Sequence, residues 1–283
     1  MTEHGSRALS TQIDISLPHE ARVYDYWLGG KENYAADRAL GDAIAEQIPT
    51  IKTMARANRA FVGRAVRYLV KEAGIRQFLD IGTGIPTAGN VHEVAQQVAP
   101  EARVVYVDND PIVLAHARAL MSSTREGKTR FIHADLHDPR SILDDPAVSE
   151  VLDLDQPVAV MLVAIMMYFR DADDPHGIIG TLLDAVPSGS YLTVSHPTAD
   201  FDPGAMAGVV AAAERTGITF APRSKDEVEG LFSGLELVDP GVVPVLAWRP
   251  DLAASDTSAE LLQPARDVDP KSAYYWAGIG KKP

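Results

Sequence analysis

Apolar positions in the first quarter of the chain recur at helical spacing. Ile44, Ile48, Ile51, Met54 and Ala55 fall three or four residues apart, as do Phe61, Val62, Ala65, Val66 and Leu69. Each set predicts a helix with one buried stripe. Gly29-Gly30 and Pro49 divide the region into separate helices. From Arg76 the pattern changes. Short apolar runs at Gln77–Ile81, Arg103–Val107, Thr129–Ala134, Val158–Val163 and Ser190–Ser195 alternate with helical stripes. Two such stripes are Val91, Val94, Ala95, Val98 and Ile178, Ile179, Leu182, Leu183, Val186, and Pro111 suits the first turn of the helix after the second strand. Strand–helix alternation of this kind predicts right-handed crossovers and a doubly wound, mainly parallel sheet covered on both faces. Near the end the alternation stops. Leu235–Val238 and Tyr274–Ile279 read as two late strands, separated by a polar stretch through Asp269 that is expected to lie on the surface as irregular structure or a short helix. The organisation expected is a flexible tail over residues 1–20, a helical cap or lid over 21–73, and an α/β domain over 74–283.

Composition narrows the functional classes. The 283 residues carry a formal net charge of −13 with 46% hydrophobic and 23% charged content, as a globular domain with a substantial core does. Such acidity argues against a general nucleic-acid or anionic-membrane binder, because phosphate contacts need clustered Lys and Arg. With no cysteine, disulfides, thiolate metal sites and cysteine nucleophiles drop out. The first 18 residues lack the apolar core of a signal peptide. The longest apolar run, Pro157 to Phe169, is too short to cross a bilayer and reads as a central strand. A cytoplasmic location is expected.

The densest chemical signal is Phe78-Leu79-Asp80-Ile81-Gly82-Thr83-Gly84-Ile85-Pro86-Thr87, a strand entering a glycine turn. Glycines at 82 and 84 let a ligand lie against the main chain. The next strand ends on Asp108, where a carboxylate can accept both hydroxyls of a ribose. A dinucleotide site would want a third glycine so that pyrophosphate can approach the helix; here that position is Thr87. Asp80 would also repel phosphate, whereas it suits a cationic amino-acid ligand. S-adenosylmethionine has a ribose, a sulfonium and an ammonium, and no phosphate.

These motifs resemble those of the class I S-adenosylmethionine-dependent methyltransferases. More narrowly, Ala21 to Asn33, Ala57-Asn58-Arg59-Ala60-Phe61 and Phe78 to Glu93 resemble an actinobacterial methyltransferase family first catalogued as a domain of unknown function. The resemblance implies a seven-stranded sheet whose last strand is antiparallel, with S-adenosylmethionine as cofactor. It also implies that Asp80, Gly82, Thr83 and Gly84 surround the methionine part. By the same resemblance Asp108 and Asn109 hold the ribose, Asp135 and Leu136 meet the adenine edge, and Val163 and Ala164 line the floor.

The implied reaction is a direct methyl displacement onto an unidentified acceptor, expected to be a small molecule. A noncatalytic S-adenosylmethionine sensor and, less favoured, an NAD-linked reductase are the alternatives. No residue stands out as the base. The run Ile165-Met166-Met167-Tyr168-Phe169 lacks the polar residue often found just beyond the fourth strand. His196, after the fifth strand, and Tyr168 are the candidates for chemistry. His92 is expected in a supporting or surface role, and His133 and His137 have no metal-ligand spacing, so no metal is expected. Tyr24, Trp27, Gly30, Asn33 and Arg59 are candidates for a lid and acceptor wall, with the helix at Ala205–Arg215 opposite. The oligomeric state is left open.

Overall fold

The computed structural model describes residues 14–87, 89–120, 123–253 and 269–283. Most of the expected N-terminal tail, and the polar stretch before Asp269 from 254 on, lie outside the described residues. Three helices come first: α1 (Glu20–Leu28), α2 (Ala35–Gln47) and α3 (Ile51–Lys71). The alternating part follows as β1 (Gln77–Ile81), α4 (Val91–Val98), β2 (Arg103–Asp108), α5 (Pro111–Leu120) and β3 (Lys128–His133). Two short helices, α6 (Pro139–Leu143) and α7 (Pro146–Val151), lead to β4 (Ala159–Val163), α8 (Pro175–Asp184) and β5 (Tyr191–Pro197). The chain ends with α9 (Pro203–Glu214), α10 (Lys225–Gly230), β6 (Glu236–Leu237), β7 (Val243–Pro244) and β8 (Tyr275–Lys281).

The sheet order is β3-β2-β1-β4-β5-β8-β6, with β7 also on β8. The first five strands run parallel, and β8 is antiparallel to β5. Since β5 covers the whole of β8 on one edge, β6 and β7 share the other. Eight strands thus fill the seven expected positions, because the chain leaves β8 briefly between Leu237 and Val243.

Side chains alternate across the sheet with period two. Phe78, Val104 and Met161 pack on one face with α3 and α4, whereas Leu79, Val105 and Leu162 pack on the other with α6, α7, α8 and α10. The chain reverses its winding direction between β1 and β4, and a crevice forms beyond the carboxyl ends of the strands there. Helices α1 and α3 border that crevice. No described helix is long and apolar enough to cross a membrane.

Candidate functional site

Beyond β1 the backbone turns through Gly82 and Gly84, with φ of +73° and +66°. The two glycines serve different ends. A Cβ on Gly82 would sit 2.6 Å from the Ile165 side chain, whereas one on Gly84 would meet nothing within 4 Å. Gly82 lets the turn pack on the loop after β4; Gly84 leaves bare backbone facing open space. The turn is fixed by Gly82 N–H donating to Val107 O over 2.8 Å and by Gly84 N–H donating to Asp108 Oδ2 over 2.8 Å.

The space above this turn is a cavity of about 480 Å³. Asp80, Gly82, Thr83, Gly84, Asp108, Asn109, Asp135, Leu136, Val163 and Ala164 all line it. Ala164 holds φ of +54°, a strained value for a residue with a Cβ, and its N–H bonds Ser195 O at 3.1 Å. Burial pushes the Asp80 carboxyl up to about 6, against the opposing pull of Arg59 and the Thr83 hydroxyl 3.1 Å away. Burial also lifts Asp108, although the N–H groups of Asp110 and Gly84 favour its charged form.

Arg59 enters the same cavity from α3. Its Nη2 donates to Asn90 Oδ1 over 2.8 Å, while its Nε is buried with no hydrogen-bond partner. From α1, Tyr24 lines the wall, its hydroxyl donating to Ala55 O and accepting from Asn58 Nδ2. Burial raises that phenol to about 12, so it stays protonated. Tyr168, in a 3-10 turn over Met166–Tyr168, also lines the cavity and is raised further by burial.

Several expected positions fall elsewhere. His196 is 0% exposed and does not line the cavity. β5 runs two residues past the expected end, so His196 pairs with Trp276 inside the sheet and is driven down to about 4 by burial. Gly30 and Asn33 close the junction between α1 and α2 instead of facing the crevice. A Cβ on Gly30 would collide with the Asp25 carboxylate, whose Oδ2 accepts from Asn33 Nδ2 at 2.9 Å. Trp27 faces a separate apolar cleft, together with Met206 and Val209 of α9. His92 is buried, with its Nδ1 2.8 Å from the Tyr106 hydroxyl. His133 Nε2 lies 3.0 Å from Asn109 O, and His137 Nδ1 lies 2.7 Å from Asp135 Oδ1. Among the described residues no three His, Asp or Glu side chains gather as a metal site.

His19 and Glu20 are among the cavity residues that escaped the sequence reading, as are Arg170, Asp173 and Thr219. An acid in the first turn of a helix ordinarily reads as a partner of the helix dipole, so its type alone gives no hint of a site. His19 caps α1 and its Nδ1 lies 3.1 Å from Asp110 Oδ2.

The donor set fits S-adenosylmethionine. Carboxylates at Asp80 and Asp108 suit an ammonium and a ribose, bare backbone at Gly84 admits the ligand, and Thr87 stands where a pyrophosphate site would want a third glycine. Fold and site define a class I S-adenosylmethionine-dependent methyltransferase. The family described as S-adenosyl methyltransferase matches residues 6–283, and the chain belongs to it. Among solved structures it is similar to a DUF574 family protein from Streptomyces avermitilis, at 46% identity over 96% of this chain and 100% of that one, with a TM-score of 0.89. It is also similar to a proposed methyltransferase from Thermobifida fusca, at 41% identity over 95% and 96% of the two chains, with a TM-score of 0.83. The plantazolicin methyltransferase BpumL, solved with S-adenosylhomocysteine and a triazolic desmethylPZN analog, shares the fold at 13% identity over 93% and 95%, with a TM-score of 0.53. No curated protein matches the chain. The cofactor is S-adenosylmethionine.

Proposed function

We propose that this enzyme methylates a small-molecule acceptor in the crevice above β1 and β4. One observation carries the reading: the cavity of about 480 Å³ is walled by α1 and α3 as well as by the sheet edge. A site roofed by its own N-terminal helices suits a ligand that enters whole, and the formal charge of −13 disfavours a nucleic-acid acceptor.

In this reading Asp80 holds the cofactor ammonium and Arg59, whose Nε has no hydrogen-bond partner, holds its carboxylate. Asp108 and Asn109 take the ribose, and Asp135 and Leu136 the adenine edge. When bound, the cofactor supplies an electrophilic methyl group. The protein's task is then alignment and exclusion of water, a contribution that can reach roughly 7–11 kcal/mol. Helix α1, with Tyr24, acts as the lid.

The test has two parts. Calorimetry should give tighter binding of S-adenosylhomocysteine than of NAD. Release of S-adenosylhomocysteine from S-adenosylmethionine should then be measured against metabolite pools, peptides and oligonucleotides. Turnover with peptides or oligonucleotides alone would overturn the small-molecule reading.

A further inference from the structure

A second, apolar cleft opens beside the cofactor cavity. It is formed by Trp27 of α1, Ile44 of α2, Met54 of α3, Met206 of α9, and Ile218 and Phe220 beyond α9. Its volume of about 40 Å³ is several times what one water needs, enough for one small apolar group. Two residues, Glu20 and Tyr168, line both this cleft and the cofactor cavity. They mark the junction where an acceptor lodged in the cleft would meet the methyl donor.

The polar groups at that junction are uncommitted. Tyr168 and Tyr275, the latter lining the cleft, make no side-chain hydrogen bond to any described residue. Among the described residues the Glu20 carboxylate makes one ion pair, with His19 Nδ1 at 3.5 Å, and keeps 31% of its side chain accessible. Glu20 carries the only charge among the described residues lining the cleft.

On the proposed small-molecule methylation, we infer that the acceptor is a compact, uncharged single-ring phenol, and that Glu20 removes its proton. The chemistry of the lining selects this class. Without a cation in the cleft, a carboxylate or phosphate acceptor would lose its hydration with no compensation, and an amine paired with Glu20 as its ammonium has no lone pair to attack the methyl carbon. The thioether and aromatic side chains receive one small apolar substituent of the ring, and the ring itself lies at the junction with the larger cavity. A phenol, with an ordinary pKa near 10, is within reach of a carboxylate base, whereas an aliphatic alcohol is far weaker as an acid. Tyr168, held protonated by burial and by the Glu20 charge, donates to the acceptor oxygen and aims a lone pair at the methyl carbon. The acceptor oxygen forms the new C–O bond as the C–S bond breaks. The electron pair of that bond stays on the sulfur of S-adenosylhomocysteine, and the phenol proton goes to the Glu20 carboxylate.

The full-length protein is assayed with S-adenosylmethionine and 4-ethylphenol, 4-ethylaniline or 4-ethylbenzoate. The ether of 4-ethylphenol is the expected product, at least tenfold faster than either other product. Calorimetric binding of 4-ethylphenol to the S-adenosylhomocysteine complex should be lost in Ile218→Trp, which fills the cleft from a half-buried position. Glu20→Gln should lower turnover of 4-ethylphenol by roughly 10²–10⁴-fold, the usual worth of a general base. It should spare 4-nitrophenol, which is largely ionised at pH 8 and needs no base. Both variants must still bind S-adenosylhomocysteine. If the wild type fails to bind it, the cofactor site itself is misassigned. If it binds but methylates the aniline or benzoate in preference, or no phenol at all, the acceptor class is wrong. Equal losses on both phenols in Glu20→Gln would remove Glu20 as the base.

Discussion

Nη1 of Arg223 lies 3.0 Å from Nε2 of His196, with both side chains buried. A guanidinium can only donate, so Nε2 accepts and the imidazole proton sits on Nδ1, which donates to Pro197 O at 2.9 Å. The same guanidinium donates to Met166 O and Phe169 O. It therefore clamps both ends of the turn that carries Met167 and Tyr168 into the cavity and cleft. On the proposed function, His196 acts through that clamp, as a positioning residue.

His196→Ala should leave a buried N–H of Arg223 unpaired, at a cost of about 1–3 kcal/mol. His196→Gln, which restores an acceptor, should recover most of it. The pH dependence has a defined sign. His196 is held near 4 against an ordinary 6.5, so the unfolded chain binds a proton first and stability falls as pH drops from 6.5 towards 4. At roughly 1.4 kcal/mol per pH unit this amounts to about 3 kcal/mol. Asp80, raised to about 6, works in the opposite direction. The measurement is thus the difference in unfolding free energy between wild type and His196→Gln at pH 7 and pH 5. A difference that stays constant with pH would show that His196 titrates normally.

Asp80 should impose a pH limit on cofactor binding. Its carboxyl is raised to about 6 chiefly by burial, so below that pH it is neutral and offers no charge to an ammonium. Affinity for S-adenosylhomocysteine should fall from pH 7 to pH 5, with proton release on binding in that range. Titrations in two buffers of different ionisation enthalpy detect the released proton. Asp80→Asn should bind more weakly at pH 7 and show a flat profile.

Beyond the ribose it holds on the proposed function, Asp108 has a structural duty. Its two oxygens accept the N–H groups of Gly84 and Asp110 at 2.8 and 3.0 Å. Asp108→Asn keeps at most one of these while removing charge-assisted bonds to the ribose, each class of bond being worth about 1.5–3 kcal/mol. Affinity for S-adenosylhomocysteine should drop roughly ten- to a hundredfold, and the melting temperature without ligand should fall too. Unchanged affinity in a folded variant would place the ribose elsewhere.

What could be read from the chain follows physical lines. Strands buried on both faces, such as β1 and β4, leave apolar runs, and these together with the edge strand β3 were found within two residues at either end, as were β2 and β5. The glycine turn was legible because φ above zero and an open approach leave few residue choices. His196 was misplaced because nothing in Ser195-His196-Pro197 signals that β8 pairs beyond Ser195. That partner lies some eighty positions away. Gly30 read as part of a lid and acceptor wall; its lack of a side chain instead makes room for Asp25. The break between β6 and β7 depends on two-residue pairings too short to leave a pattern.

Helix α1 is tied to Asp108 through one residue. Asp110 Oδ2 lies 3.1 Å from His19 Nδ1 at the start of α1, and Asp110 N–H donates to Asp108 Oδ1. Arg22, buried between Asp37 and Asp110 at 3.4 and 3.8 Å, adds to the same tie. A ligand that tightens Asp108 should thus also restrain α1, the behaviour of a lid that closes over bound cofactor. Hydrogen exchange with and without S-adenosylhomocysteine reads this directly. Protection is expected over residues 19–28 as well as over the glycine turn at 82–87, and His19→Ala should weaken the first without abolishing the second. Exchange slowed at 82–87 alone would mean that α1 is a fixed wall of the core and that the acceptor enters by another route.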